Sequence, residues 1–328
     1  MNAAVIQSFT APPIYTTFDD PVPNPDAGEV LVTVTAAALH RIVRSFANGT
    51  HYCSAGILPF VPGVDGVGLL QSPFGELPAG TRVLFGSARP PFGTFAEQSL
   101  ASGAMLIPLP AALPDATAAA ISNPAMSSAV ALMRAQFQPG ESVLILGATG
   151  VSGQLAVQIA KSRGARRVIA LGRNPEALAE LTNLGADATI SLSQDPEALT
   201  LALRNEIATH GVDIVLDYLW GPPAETLLAA IAQKGLNSTA PRPRYIQIGN
   251  MAGPTISLPA ATLRSSGIEL LGSGFGSASL SQIRQALIAF FDHITTNPLH
   301  FSLKTAPLSE VATLWSTNDQ AVRHVFQL

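Results

Sequence analysis

Two periods divide the chain. Its first third is patterned in twos: in GEVLVTVTAAAL (residues 28–39) apolar side chains alternate with threonines, which predicts a strand with one buried face. FVPGVDGVGLL and GTRVLFGSARPPFGTFAEQ follow as short apolar runs broken by glycine and proline, as expected of strands ending in turns and loops. Near residue 115 the texture changes. DATAAAISNPAMSSAVALMRAQF (residues 115–137) is rich in Ala, Leu and Met and predicts one or two helices. From residue 142 short apolar runs alternate with helical patterns. Strands are predicted at residues 142–146, 167–171, 214–217, 244–248 and 268–271, with helices such as 153–163, 175–184 and 224–232 between them. That alternation implies a parallel sheet covered on both faces. The tail carries LSQIRQALIAFFDHI and APLSEVATLWST, both read as helical.

One strand–helix junction carries a chemical signal. Ala148-Thr149-Gly150-Val151-Ser152-Gly153 sits between the strand at 142–146 and the helix after it, and matches G-x-G-x-x-G with alanine in the first place. Gly147 lies one position earlier. Gly150 lets the backbone come close to a diphosphate, and Gly153 lets the helix start tight against the strand. The helix N-terminus offers unpaired N–H groups to phosphate. The alternative is an ordinary strand–turn–helix. A second strand follows at the right distance, which favours a dinucleotide. In such sites a carboxylate stands ~20 residues beyond the loop and holds the ribose hydroxyls. Here that position is occupied by Gly172, Arg173 and Asn174. A guanidinium makes paired, charge-assisted bonds to phosphate, and Asn174 can donate one more. The expected cofactor is therefore NADPH rather than NADH, with a solvated surface arginine as the alternative for Arg173.

Composition narrows the remaining classes. Of the 328 residues, 47% are hydrophobic and 12% charged, against a usual charged share of roughly 25%. A large core and an oligomer contact both account for that. The net charge of −4 is too small and of the wrong sign for a nucleic-acid binder. With Cys53 as its single cysteine the chain forms no internal disulfide and no cysteine-rich zinc site. The N-terminal segment lacks the pattern of a secretory signal, and no apolar run reaches the ~18 residues of a membrane span. A soluble, cytoplasmic protein is expected.

The order of FVPGVDGVG, AGTRV, GTFAEQ, NPAMSSAVAL, VLILGATGVSGQLAVQIAK and NLGADATI resembles the medium-chain dehydrogenase/reductase superfamily, and within it the zinc-free, quinone oxidoreductase-like branch. The resemblance spans nearly the whole chain. It implies an α/β protein with a GroES-like, β-rich catalytic domain from residues 1–122 and 269–328. A Rossmann-like, doubly wound domain from residues 123–268 would be inserted between those segments, with nicotinamide in the cleft between the two domains. It also implies a homodimer joined edge to edge through the strand near 268–271. The zinc-dependent branch needs a cysteine after the strand ending near Leu39 and a His-Glu pair after Pro-Gly; this chain has His40 and Val64-Asp65 there. His40, His51 and Asp65 are the remaining conceivable metal ligands, and no metal is expected.

By family position, Ser127, Ser128, Thr149, Gly150, Val151, Gly153, Arg173, Asn174, Tyr218, Ile248, Gly249, Asn250, Gly274 and Phe275 would contact the cofactor. Without zinc, hydrogen-bond donors must polarise the substrate carbonyl. Tyr52, His40 and His51 are the candidates. Each has a plainer alternative: a loop-packing aromatic for Tyr52, a hydrogen-bonded structural histidine for His40. The resemblance implies hydride transfer to a quinone or an α,β-unsaturated carbonyl. Metal-free interconversion of alcohols and ketones is the rival reaction. An NADPH-binding sensor or structural protein with little catalysis is the rival class.

Overall fold

The computed structural model describes residues 1–232, 241–317 and 322–328. The chain divides into two compact units, 1–123 with 283–328, and 124–282. The first contains β1 (Asn2–Val5), β2 (Ile14–Thr17), β3 (Glu29–Ala38), α1 (Arg41–Ala47), β4 (Asp65–Leu70), β5 (Arg82–Gly86), β6 (Gln98–Ser102), β7 (Ile107–Pro108) and the start of α2 (Asp115–Arg134). The second contains β8 (Ser142–Leu146), α3 (Val151–Ser162), β9 (Arg167–Gly172), α4 (Pro175–Asn183), β10 (Ala188–Ser191), α5 (Pro196–His210), β11 (Ile214–Asp217), α6 (Gly221–Ile231), β12 (Arg244–Gln247), α7 (Ala260–Ser266) and β13 (Glu269–Gly272). The chain returns to the first unit within α8 (Leu280–Thr296), followed by β14 (Ser302–Pro307), α9 (Val311–Trp315) and β15 (Val322–Gln327).

In the first unit the strands run in the order β14-β15-β3-β4-β5-β7, with β6 also paired to β3 and a separate β1-β2 ribbon. β3 is its backbone. Its buried Val30, Val32 and Val34 alternate with more exposed neighbours and pack with Phe85, Phe95 and Phe326 in one core. Both chain ends build this sheet, since Val325 of β15 pairs with Ala38 of β3.

The second unit is a parallel sheet in the order β10-β9-β8-β11-β12-β13. All five residues of β8 and all four of β11 are buried, the pattern of central strands covered on both faces. Helix starts are set locally. Asn174 caps α4 and Asp195 caps α5, each side chain accepting backbone N–H bonds, with Pro175 and Pro196 at the first helical position. β13 is hydrogen-bonded to β12, so this unit continues to Gln282; residue 269, where the resemblance places the return, lies inside its sheet. The segment 115–137 contains one helix, α2, which continues through Pro124. Among the described residues no helix is long and apolar enough to cross a membrane.

Candidate functional site

The winding of the parallel sheet reverses between β8 and β11: β9 and β10 extend one way, β11 to β13 the other. Ligands of such sheets lie beyond the carboxyl ends of the strands at that switch point. The residues there are Gly147 to Gly153 after β8, Gly172 to Asn174 after β9, Tyr218 after β11, and Ile248 to Asn250 after β12.

The turn after β8 uses its glycines for different purposes. Gly147 takes the sharp turn at φ +96, the role that the motif assigns one residue later. Gly153 makes the close approach: a Cβ there would stand 2.4 Å from the Gly147 carbonyl oxygen. Gly150 caps α3 in an extended conformation, φ −82 and ψ 164, which any residue adopts, and a Cβ on it would meet nothing within 4 Å. The backbone is therefore bare where neither packing nor conformation demands it. Such a surface, at a helix N-terminus, can receive a phosphate. Val151 is buried as the first residue of α3.

At the end of β9, Arg173 is exposed, and among the described residues its guanidinium makes no hydrogen bond or ion pair; only its carbonyl is engaged, by Ser193 Oγ at 3.2 Å. Asn174 uses its Oδ1 to accept from Ala177 N at 3.0 Å, which leaves its amide N–H groups to donate. Thr149 packs over Gly172, so that a Cβ on Gly172 would lie 2.3 Å from Thr149 Cγ2. No carboxylate fits at position 172 without moving that side chain.

Beyond β11, Tyr218 Oη is 2.9 Å from Ser128 Oγ. Burial pushes the phenol pKa above its ordinary value, against the two serines Ser128 and Ser127. Ser127 and Ser128 both donate to the Pro124 carbonyl, at 2.8 and 3.0 Å. The preceding Asp217 is fully buried; its Oδ1 accepts from Leu219 N and Trp220 N, at 2.7 and 2.9 Å, and its Oδ2 from Tyr245 Oη at 2.7 Å. Those bonds hold Trp220 at φ +54, a strained value for an aromatic residue, and so fix the backbone on which Tyr218 stands. Ile248 N and Gly249 N donate to the Asp217 carbonyl at 2.8 and 3.1 Å, and Asn250 is exposed. Gly274 N donates to Ser277 Oγ at 2.8 Å, in a turn that also exposes Phe275.

The candidates for substrate chemistry lie in the first unit. Tyr52 is 72% exposed and stacks on His51, which in turn stacks on Phe46, each pair of ring centroids 4.3 Å apart. His51 Nδ1 accepts from Cys53 N at 3.2 Å, and burial lowers its pKa. His40 is different: it is 1% exposed, and among the described residues neither ring nitrogen makes a well-formed hydrogen bond, although the Ala119 backbone beside it favours the charged ring. Its Nε2 lies 3.5 Å from Asp65 Oδ1, which likewise makes no hydrogen bond among the described residues. Ser122 Oγ donates to Asp65 Oδ2, and the buried Arg323 donates to the Leu39 carbonyl at 3.2 Å. Burial raises the Asp65 carboxyl to about 6, against the Ser122 bond and the Arg323 charge. Burial and the Arg323 charge hold His40 well below its ordinary value. Burial lowers Arg323 to about 10. His40 and Asp65 thus meet, whereas His51 belongs to the aromatic stack. Among the described residues no three His, Cys, Asp or Glu side chains form a group able to hold a metal ion. Ser122 and Arg323 were not predicted for this cluster, since nothing local in the sequence ties either to Asp65.

A Rossmann-like sheet with a bare turn at its switch point, accompanied by an antiparallel β unit, defines a two-unit oxidoreductase fold. A family model described as zinc-binding dehydrogenase matches residues 152–293. The chain is 28% identical, over 97% of its own length and 97% of the relative's, to the "Probable NADPH-dependent quinone reductase tdiC" of Emericella nidulans. It is 28% identical to the quinone oxidoreductase of Lama guanicoe over 72% of this chain and 71% of that one. Its fold matches the Thermus thermophilus quinone oxidoreductase, solved also as a complex with NADPH, at TM-score 0.78 and 26% identity over the full length of both chains. The chain belongs to the medium-chain dehydrogenase/reductase superfamily, in its quinone oxidoreductase-like branch, and is an oxidoreductase.

Proposed function

We propose that this protein is an NADPH-dependent, zinc-independent reductase of quinones or α,β-unsaturated carbonyls. The observation that carries the cofactor reading is the pair formed by the bare Gly150 turn and the exposed Arg173 guanidinium, without a partner among the described residues, on adjacent strand ends. Gly150, Val151 and the first turn of α3 would hold the diphosphate. Arg173, with the Asn174 amide, would hold the 2′-phosphate of the adenosine ribose, where a carboxylate would repel it. Ser127, Ser128, Tyr218, Ile248, Gly249 and Asn250 would line the nicotinamide half, and Gly274 and Phe275 its cover. The complex of the Thermus relative with NADPH and the printed name of the Emericella relative support the same cofactor.

When bound, the cofactor supplies the hydride. The chain's own residues orient it, exclude water and place a hydrogen bond on the substrate oxygen. The exposed phenol of Tyr52, stacked on His51, suits that last role: it can donate a hydrogen bond while its ring lines an apolar pocket. His40, buried against Asp65, is instead a positioning residue within the first unit. The single cysteine and the absence, among the described residues, of a three-ligand group support catalysis without zinc. The substrate would be a small molecule.

A homodimer joined through β13 is part of this reading. β13 is an edge strand of the parallel sheet, and Leu270 on it and Leu263 on α7 are large apolar side chains left exposed.

The test is NADPH consumption across quinones, enones and saturated ketones. Activity on the first two supports the proposal. Activity on saturated ketones alone overturns it in favour of alcohol–ketone chemistry. Tight NADPH binding with no turnover of any of them overturns it in favour of a sensor.

A further inference from the structure

The first unit contains a cleft of 390 Å³, beside the last turn of α1. None of the residues placed above on nucleotide or substrate lines it. Its volume suits a small molecule. Ala11 and Ala47 present nothing larger than a methyl group, which leaves the space open. Phe9, Pro12 and Trp315 supply broad apolar surface around it.

The polar side of the cleft favours an acceptor. Arg44 belongs to α1 and Asn48 caps its end; four residues apart, they share one side of the helix. Asn48 Oδ1 is occupied by Thr50, accepting from its N at 3.1 Å and from its Oγ1 at 2.7 Å. The Asn48 amide N–H groups are left to donate. Arg44 Nη2 donates to the Leu314 and Thr317 carbonyls, at 3.3 and 3.0 Å. Its Nε is buried without a partner, and its Nη1 makes no hydrogen bond among the described residues. Thr10 adds a hydroxyl, 3.0 Å from Ser8 Oγ.

Charge points the same way. Arg44 is half-buried, and among the described residues no carboxylate pairs with it. Burial and the positive charge of Arg41 lower its pKa. Arg44 and Arg41 in turn oppose the charge of the buried Arg323. One negative charge in the cleft would offset that repulsion. A phosphate dianion would ask for more donors than the cleft holds and would gain nothing from its apolar walls. We propose that this cleft binds an arylcarboxylate, a single carboxylate on a flat apolar body. The Arg44 guanidinium and the Asn48 amide would hold the carboxylate, and Phe9, Pro12 and Trp315 would enclose the ring.

Calorimetric titration of the full chain with 2-naphthoate, and with its uncharged counterpart 2-naphthamide, tests this. Naphthoate is expected to bind at least about tenfold more tightly than the amide, the effect of charge-assisted bonds to one guanidinium. Arg44→Gln should erase that difference and leave the amide within about twofold. Ala11→Trp fills the cleft from an exposed loop position without removing a side-chain hydrogen bond, and should weaken both compounds at least about tenfold. It keeps the test decisive if Arg44→Gln disturbs the carbonyls that Arg44 holds. Four results overturn the proposal: no binding of naphthoate to the wild type at millimolar concentration, equal affinity for the two compounds, equal loss of both in Arg44→Gln, or binding that Ala11→Trp leaves unchanged.

Discussion

The side chain of Thr149 lies across the backbone of Gly172, so close that a Cβ on Gly172 would sit 2.3 Å from Thr149 Cγ2. The turn after β8 and the end of β9 are thereby packed into one surface, and position 172 is closed to any larger residue. Gly172→Asp, the change that would restore a ribose-binding carboxylate, should therefore destabilise the protein by about 1–3 kcal/mol through overpacking. It should not confer NADH activity alone. Adding Thr149→Ala to it should restore part of the lost thermal stability. Denaturation midpoints and NADH kinetics of the single and double variants check this; a stable, NADH-active single variant would refute it.

Gly150 and Gly153 separate binding from packing. Gly150→Ala places a methyl group in open space at an ordinary backbone conformation, so the thermal midpoint should stay within about a degree while NADPH affinity falls. Gly153→Ala drives a methyl group to 2.4 Å from the Gly147 carbonyl and should cost about 2 kcal/mol or more whether or not nucleotide is present. If Gly150→Ala binds NADPH like the wild type, the diphosphate does not approach that turn.

Arg173 has no structural partner among the described residues to lose. Arg173→Ala should raise KM for NADPH about 10- to 100-fold, the effect of losing charge-assisted bonds to phosphate, and leave KM for NADH and the thermal midpoint nearly unchanged. Steady-state kinetics with both nucleotides decide it, and an equal loss for both would show that the guanidinium does not read the 2′-phosphate.

Asp65 makes stability depend on pH in an unusual direction. Its folded pKa is raised, from 3.8 to about 6, chiefly by burial. A carboxyl raised in this way favours the folded state most when protonated. Its contribution is present below about pH 4 and is lost as pH rises to about 6, a change of about 3 kcal/mol. Asp65→Asn removes that titration. The stability of the variant relative to the wild type should grow between pH 4 and pH 6 and then level off, and a flat difference in denaturant unfolding would exclude it.

An edge strand with exposed Leu270 is expected to join a second copy. Leu270→Lys should convert a dimer into monomers in sedimentation at micromolar concentration, since a charge on an edge strand opposes pairing. A monomeric wild type would dispose of the edge-to-edge arrangement.

Elements that announce themselves by burial or by caps were readable in advance. β8 and β11 are runs of buried residues with the limits expected from the sequence. α5 was not predicted, although Asp195 and Pro196 form a readable helix start, because its hydrophobic side is narrow: only Leu199 and Leu203 are buried. β10 escaped because it is short and only Ile190 on it is buried. The composition of residues 115–137 leaves one helix or two open, and α2 runs through Pro124 as one. The nucleotide motif was legible because a strand, a turn and a helix adjacent in sequence build it. Ser122, Asp65, His40 and Arg323 come from distant segments, and nothing local in any of them announces the others. The division of labour among Gly147, Gly150 and Gly153 likewise needs coordinates, since it depends on what a methyl group would strike.

The pairing of Val325 with Ala38 reaches beyond architecture. The parallel-sheet unit is a continuous stretch of chain and can complete its strands while the ribosome is still adding residues. The antiparallel unit must hold its early strands open until residues 322–327 emerge, because β15 is laid between β3 and β14. A chain without β15 would keep the parallel sheet whole and expose β3 as a sticky edge, so residues 322–327 guard this protein against aggregation during its own synthesis.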